Sequence, residues 1–439
     1  MVYRLLPMMA QPIDLSWVDE FVREVRPYVH VRAADNLLIL VPNQAYKLNA
    51  TGVWVLQRLL SGASIGEVLR EVGDRPERRQ ALHYFFCDLR ALLKGCLREG
   101  EPRAAVETVP FELPFNTLPV LSEIALTYRC NLRCVFCYLG DEGVQSSGGE
   151  MSTAEVRRVL EIIRWEAEVP SVSFTGGEPT LRRDLPALIR YAKQLGLRVN
   201  LITNGTTATR RRVRAWVRAG LDSAQVSLEG SCPEVHDRLT QVPGSFARTL
   251  RGLDNLRAAG LQVHTNTTIN RVNAGDLLRL VDLLATLGLS RFSMNLVIPT
   301  GAASDPSLWV SYSEIGDLVQ QVKREARERG LEFLWYSPTP YCLFNPLAHG
   351  LGNKGCAACD GLLSVAPNGD VLPCSSYPEP VGNLLRQPFP EVWHSSAACF
   401  HQSKQHAPPP CHGCEHFAFC QGACPLYWQA RGWGELAAT

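Results

Sequence analysis

The chain has 439 residues, of which 46% are hydrophobic and 20% are charged, an ordinary balance for a globular protein. A single core is uncommon at this length, so we expect two or three packed units. The formal net charge is +1, so no overall field attracts nucleic acid or anionic lipid. Neither a bilayer-spanning apolar run nor a secretory signal is evident, which predicts a cytoplasmic protein without nucleic-acid or membrane partners.

Fifteen cysteines are many for such a chain. The cytosol keeps thiols reduced, so we expect ligation of metal or clusters rather than disulfides. The distribution agrees, because Cys130, Cys134 and Cys137 form one tight group and most of the others lie between Cys342 and Cys424. Four cysteines follow no ligand spacing and are predicted to be structural: Cys87, Cys96, Cys232 and Cys399.

Residues 25–100 are predicted to form a small module of strands followed by helices. Two short β-rich runs, 28–32 and 37–41, flank a turn, and three helical patterns follow as far as residue 97. This order is typical of a winged-helix-like domain. Residues 101–119 contain several prolines and lack periodicity, which indicates a linker.

Residues 120–330 alternate short apolar strands with amphipathic helices, the pattern of βαβ units around a parallel sheet. We predict an α/β fold in which six such units form a partial (β/α)6 barrel, with ligands at the carboxyl ends of the strands. Ser152 and Glu155 predict a capping box at the start of the first helix. The predicted strands are 124–127, 171–174, 199–203, 223–228, 263–269 and 292–297.

The remaining residues, 331–439, lose this alternation and are rich in Cys, Pro and Gly. Such short segments bury little apolar core, so we expect bound metal to supply their order. They are predicted to form a separate cysteine-rich extension.

The loop after the first barrel strand reads CNLRCVFCY, so three thiols lie within eight residues. A structural zinc site needs four ligands and no fourth Cys or His lies nearby, whereas three cysteines on a [4Fe-4S] cluster leave one iron open. Simple packing is disfavoured because these cysteines lie on a loop and do not follow the period of the strand. Cys130, Cys134 and Cys137 are therefore the predicted cluster ligands.

This motif, with the aromatic Phe136 before its last cysteine, resembles the hallmark of the radical S-adenosylmethionine (SAM) superfamily. The resemblance implies an oxidoreductase in which the open iron binds the amino and carboxylate groups of SAM. One-electron reduction of SAM would then give a 5'-deoxyadenosyl radical that abstracts a substrate hydrogen. A low-potential electron donor, such as a flavodoxin or ferredoxin, is also implied.

Later motifs are similar to SAM-binding segments of the same superfamily. GGEP follows the second strand, where glycines permit close backbone approach and the carboxylate of Glu178 suits the methionine amino group. TNG follows the third strand and resembles the ribose-side segment. SLEG follows the fourth strand and resembles SLDG, with Glu229 where aspartate is common.

A further segment ends in Thr240 where many relatives have an arginine suited to the cofactor carboxylate, which leaves Arg238 as the candidate for that contact. The cofactor-binding residues implied by these resemblances are Phe136, Tyr138, Gly176, Gly177, Glu178, Pro179, Thr203, Asn204, Ser227 and Arg238.

In the cysteine-rich extension, Cys359, Gly369 and Cys374 fit CX9GX4C, and a CX2CX5CX3C pattern follows at Cys411, Cys414, Cys420 and Cys424. These two patterns in this order resemble the SPASM extension of radical SAM enzymes, which holds two auxiliary iron-sulfur clusters. The usual last cysteine has no counterpart, so one cluster needs another ligand. Cys342 and Cys356 bring the available thiols to eight, the number that two four-cysteine [4Fe-4S] clusters require. Zinc bound to the last four cysteines is the alternative.

The segment PNQAYKLNATG, residues 42–52, resembles the peptide-chaperone domain of pyrroloquinoline quinone biosynthesis, which is also fused to peptide maturases. It implies a module that takes an extended leader peptide as an added strand; packing as a scaffold on the barrel is the alternative. The sequence therefore predicts a radical SAM enzyme that modifies a ribosomally made peptide. Maturation of a cofactor or tetrapyrrole is the enzymatic alternative, and a cluster-bearing peptide-binding scaffold is the non-enzymatic one.

Overall fold

The structure, a computed structural model, describes residues 13–42, 44–93, 114–140 and 149–438. It divides into two compact units, Met1–Phe115 and Asn116–Thr439. Most of the predicted linker lies outside the described residues. Within the described ranges, no helix combines the length and apolarity that a membrane crossing requires.

The first unit contains a three-stranded antiparallel sheet and four described helices. In chain order the elements are α1 (Val18–Val25), β1 (Val29–Arg32), β2 (Leu37–Leu40), β3 (Gln44–Lys47), α2 (Ala50–Leu60), α3 (Ile65–Val72) and α4 (Pro76–Leu93). β2 is the central strand. Val18 of α1 shares one hydrophobic core with Val55 of α2 and Phe86 of α4. The unit therefore begins before the predicted boundary at residue 25, and its winged-helix-like character stays a prediction.

The six predicted barrel strands are all present in the second unit, which confirms the predicted α/β class with a central parallel sheet. They are β4 (Leu121–Thr127), β5 (Ser171–Gly176), β6 (Arg198–Thr203), β7 (Ser223–Ser227), β8 (Gln262–Ile269) and β9 (Arg291–Leu296). Each strand pairs in parallel with the next. Their carboxyl ends therefore meet at one edge of the sheet.

The sheet continues beyond these six strands at both edges. The added strands are β10 (Glu332–Trp335), β11 (Leu362–Val365), β12 (Asp370–Leu372) and β13 (Gly382–Asn383). β10 is parallel to β9, and β11 is parallel to β4, whereas β12 and β13 add in antiparallel fashion. Strands from the cysteine-rich extension thus join the barrel sheet, which the sequence pattern did not predict.

Amphipathic helices follow the strands and bury their apolar faces against the sheet. They are α5 (Thr153–Trp165), α6 (Leu185–Gln194), α7 (Arg210–Ala219), α8 (Pro233–Thr240), α9 (Ser245–Ala258), α10 (Leu277–Thr286) and α11 (Tyr312–Glu328). The predicted capping box opens α5: Glu155 N–H donates to Ser152 Oγ at 3.3 Å, and Ser152 N–H donates to the Glu155 carboxylate at 2.7 Å.

Helices in the described part of the extension are short. They are α12 (Phe389–Trp393), α13 (Ser396–Gln402), α14 (Phe417–Cys420) and α15 (Pro425–Arg431). Leu363, Val371, Trp393 and Tyr427 nevertheless belong to the same hydrophobic core as the barrel. The expectation that bound metal alone orders this segment is therefore incomplete, because packing against the barrel also contributes.

Candidate active site

A cavity of about 230 Å³ lies at the carboxyl ends of the barrel strands. Ten of the predicted site residues line it: Cys130, Cys134, Phe136, Cys137, Tyr138, Gly176, Gly177, Thr203, Asn204 and Ser227. Glu178, Pro179 and Arg238 are not among its lining residues. The structure thus brings the three clustered thiols together with the ends of five consecutive strands, β5 to β9.

Backbone hydrogen bonds to the end of α8 hold the loop that carries the three cysteines. Arg133 N–H donates to the Thr240 carbonyl at 3.0 Å, and Val135 N–H donates to the Leu239 carbonyl at 2.9 Å. These bonds use backbone groups alone, and all three cysteines line the cavity. The segment ending at Thr240 therefore anchors the loop.

The donor set fits an iron-sulfur cluster. Burial raises the pKa of the Cys130 thiol to about 11 and that of Cys134 well above its ordinary value. Such thiols become thiolates when a cationic centre binds them. No three His, Cys, Asp or Glu side chains of the described residues are placed to hold a single metal ion, and the three thiols instead line one shared space large enough for a multinuclear group.

The GGEP segment follows β5 and packs against the start of the cysteine loop. Gly177 N–H donates to the Thr127 carbonyl at 2.8 Å. A Cβ at Gly177 would lie 2.4 Å from the carbonyl oxygen of Tyr128 and 2.5 Å from that of Arg129, and one at Gly176 would lie 2.2 Å from the Thr127 oxygen. Both positions therefore require glycine, and this lets the strand-end backbone form a wall of the cavity.

Glu178 is fully buried, and its carboxylate accepts hydrogen bonds from the protein on both oxygens. Oε1 accepts from Thr180 N–H at 3.0 Å and from the Thr203 hydroxyl at 2.8 Å, and Oε2 accepts from Asn204 N–H at 2.8 Å. Glu178 thus joins the ends of β5 and β6, while Pro179 begins the short turn of 3-10 helix that follows. The predicted contact of Glu178 with the cofactor amino group stays a prediction.

Asn204 connects the end of β6 to the cysteine loop. Its Nδ2 donates to Asn131 Oδ1 at 2.9 Å and to Cys130 Sγ at 3.9 Å. A side chain predicted for the ribose side of the cofactor therefore also orients the first predicted cluster ligand.

Two further titratable side chains line the cavity, Glu229 and His236. Glu229 Oε2 accepts from Thr268 N–H at 2.9 Å, and burial raises the pKa of Glu229 to about 8. His236 Nδ1 accepts from Glu229 N–H at 3.1 Å, and burial lowers the pKa of His236 to about 4. Burial thus favours the neutral form of both groups. The departure from SLDG pointed to Glu229, whereas no sequence signal assigned His236 to the site.

Arg238 is exposed on α8, away from the lining of the cavity. Thr240, the residue at the position where arginine was expected, is buried and does line it. The structure therefore does not place Arg238 where it would contact the cofactor carboxylate.

The last four cysteines of the extension do not form one group. Burial, followed by the charges of Cys356 and Cys424, raises the pKa of Cys374. Burial also raises the pKa of Cys359 and of Cys424 to about 12, and in each the charge of Cys356 adds to the increase. Cys359 N–H also donates to the Pro373 carbonyl at 3.1 Å, so this contact and the couplings to Cys356 group these four thiols. The structure thus does not support a zinc ion held by the last four cysteines together.

Comparison with known proteins identifies two domains in the chain. The chain matches the Radical SAM superfamily over residues 124–284 and SPASM, an iron-sulfur cluster-binding domain, over residues 356–415. A PqqA peptide cyclase of Ruegeria pomeroyi is 32% identical over 344 residues, 75% of this chain and 88% of that protein.

An AdoMet-dependent heme synthase of Methanosarcina barkeri is 29% identical over 346 residues, 73% of this chain and 95% of that protein. The crystal structure of Streptococcus suis SuiB bound to the precursor peptide SuiA has a TM-score of 0.66 at 17% identity, covering 91% of this chain and 95% of that one. This last likeness is one of fold.

Proposed function

Because the chain belongs to the radical SAM superfamily and carries a SPASM iron-sulfur domain, we propose that this enzyme modifies a ribosomally made peptide by hydrogen abstraction. The observation that carries the proposal is the cavity that joins the three loop thiols to the GGEP and TNG strand ends. A [4Fe-4S] cluster held by Cys130, Cys134 and Cys137, together with SAM, supplies the 5'-deoxyadenosyl radical when bound.

The residues of the chain itself contribute position and charge balance. The hydrogen bonds from Arg133 and Val135 hold the cysteine loop in place, and Asn204 fixes the orientation of its first thiol. Glu229 and His236 line the cavity, and burial favours the neutral form of each. We propose a flavodoxin or ferredoxin as the electron donor.

The first unit supports a peptide substrate with a leader segment. β3 is an edge strand of its sheet and pairs with β2 in the described structure. An extended peptide adds to such an edge through main-chain hydrogen bonds. The relative named a PqqA peptide cyclase, and the neighbour solved with a precursor peptide, both favour a peptide over a small molecule.

A tetrapyrrole is the second candidate substrate, favoured by the likeness to an AdoMet-dependent heme synthase. The two candidates make different demands on the first unit. A leader peptide would use the edge strand β3, whereas a tetrapyrrole needs only the barrel and its clusters.

Anaerobically reconstituted protein with dithionite and SAM tests the proposal. Short peptides encoded beside the gene are expected to stimulate release of 5'-deoxyadenosine and to change in mass. Cys134→Ala should abolish both signals, since it removes a cluster ligand, whereas Cys232→Ala, which does not line the cavity, should retain them. Turnover with an iron porphyrin but with none of the peptides would contradict the peptide proposal.

A further inference from the structure

We propose that Cys342 completes a four-thiol auxiliary cluster site with Cys411, Cys414 and Cys420, and that this site is separate from the set formed by Cys356, Cys359, Cys374 and Cys424. The match to the SPASM domain covers residues 356–415, so Cys342 lies outside it. The inference rests on iron-sulfur binding by the extension and does not depend on the identity of the substrate.

A hydrogen bond places the segment around residue 342 beside Cys420, one of the three cysteines of the proposed site. Tyr341 N–H donates to Cys420 Sγ at 3.3 Å, although the two residues are 79 positions apart in sequence. Standard backbone dimensions then put the Cα of Cys342 within about 9 Å of that sulfur. The Tyr341 hydroxyl donates to Asn353 Oδ1 at 2.8 Å, which ties the same segment down on its other side. Cys342 therefore stands close enough to share a cluster with Cys420.

Backbone hydrogen bonds bring the other three cysteines of this site together. Cys414 N–H donates to the Cys411 carbonyl at 3.1 Å, and Phe417 N–H donates to the Cys414 carbonyl at 3.0 Å. Gln421, which follows Cys420, donates its N–H to the Phe417 carbonyl at 2.8 Å. Together with the bond from Tyr341 to Cys420, these contacts place the four cysteines in one region.

The other set already has its four thiols. A [4Fe-4S] cluster with four cysteine ligands has no open iron, so that set needs no further ligand. Its loop is fixed independently by Lys404, which is fully buried and donates to the Cys356 carbonyl at 2.7 Å and to the Asp360 carboxylate at 2.9 Å. The hydrogen bond from Tyr341 to Cys420 makes Cys342 the candidate for the fourth ligand beside Cys411, Cys414 and Cys420.

Two other side chains of the extension compete for this role. Cys399 lies within the SPASM match, but its thiol donates to the His394 carbonyl at 3.7 Å and interacts with Cys359 of the other set. His412 follows Cys411, but its Nε2 lies 3.1 Å from the Ala407 carbonyl. The geometry favours Cys342 over both.

The test counts iron and sulfide per chain in anaerobically reconstituted full-length protein. Three clusters correspond to about 12 iron atoms. Cys342→Ala is expected to lose up to about one third of that iron, or to give the electron paramagnetic resonance signal of a cluster lacking one iron. Cys399→Ala is the matched control and should keep the iron and spectra of the parent protein.

A second pair of variants tests the same assignment if Cys342→Ala alone folds poorly. In a chain with Cys130, Cys134 and Cys137 all changed to Ala, only auxiliary iron remains, and adding Cys342→Ala should roughly halve it. Cys342→Asp, which keeps an anionic ligand, should retain the iron and shift the resonance signal. Unchanged iron and spectra in Cys342→Ala, or loss in Cys399→Ala instead, would overturn the assignment. Neither result bears on whether the substrate is a peptide.

Discussion

The cysteine loop after β4 and the cysteine-rich extension organise their thiols differently. In the loop, three thiols lie within eight residues, and backbone hydrogen bonds to α8 fix the segment. In the extension, the candidate ligands run from Cys342 to Cys424, and each set combines distant segments. Local ligands can be identified from spacing alone, whereas dispersed ligands are grouped by the fold. Variants in each region test this contrast.

The largest loss of stability is expected for Lys404→Met in the extension. The change leaves Asp360 without its partner and removes the hydrogen bond to the Cys356 carbonyl. Removing one member of a buried ion pair costs about 3 kcal/mol or more, and Asp360 is 16% exposed, which places this pair at the low end. We expect a lower urea midpoint of the anaerobic holoprotein and faster loss of auxiliary iron.

Lys193→Met is the matched control in the barrel. It breaks the Lys193–Asp222 pair, 2.7 Å long, whose side chains are 34% and 25% exposed. Solvent screening limits such a pair to about 1 kcal/mol or less. Equal losses of stability in the two variants would mean that the Lys404–Asp360 pair does not stabilise the loop that carries Cys356.

The sequence predicted the barrel strands, and ten of the predicted site residues line one cavity, because both depend on local patterns. The six strands follow their apolar periodicity, and the motifs follow the strands directly. The pairing of the auxiliary cysteines was not predictable. Gln421, Gly422 and Ala423 have φ values of 57°, 73° and 66°, so the chain turns sharply between Cys420 and Cys424 and separates two thiols that the spacing groups together.

Contacts between distant or separate elements also escaped the sequence patterns. His236 lies on α8 and lines the cavity, where the Glu229 N–H donates to its Nδ1, a contact between α8 and the segment after β7 that no periodicity encodes. The strands that the extension adds beside β4 are equally non-local, since β11 pairs with a strand about 240 residues earlier in the chain.

Gly177→Ala tests the tight packing of the cysteine loop on the barrel. The new Cβ would lie 2.4 Å from the Tyr128 carbonyl oxygen, so the loop backbone must move. Overpacking of this kind costs about 1–3 kcal/mol. We expect a lower urea midpoint and weaker SAM binding in equilibrium dialysis. Gly275→Ala is the control, because nothing lies within 4 Å of its new Cβ, and a Gly177→Ala protein as stable as this control would contradict the close-approach argument.

The smallest effect is expected from His264→Gln inside the barrel. Burial lowers the pKa of His264 to about 4, below its ordinary value of 6.5, and its Nε2 lies 3.1 Å from Gln225 Oε1. Between pH 6.5 and pH 4 the unfolded chain binds a proton that the folded chain does not, so the free energy of unfolding falls as the pH falls through this window. Gln cannot take up this proton, so the variant should lose less stability between pH 7 and pH 5.

Burial of the imidazole, rather than histidine itself, is the cause in this argument. His394→Gln is therefore the control, since His394 is exposed, and its pH dependence should match that of the parent protein. Burial lowers the pKa of His406 in the extension to about 3. His406 is present in both variants, so its contribution to the pH dependence of stability is the same in each. The loss of stability at low pH that remains in His264→Gln then comes from the extension and the other buried histidines. If His264→Gln loses as much stability at low pH as the parent protein, His264 does not contribute to that loss.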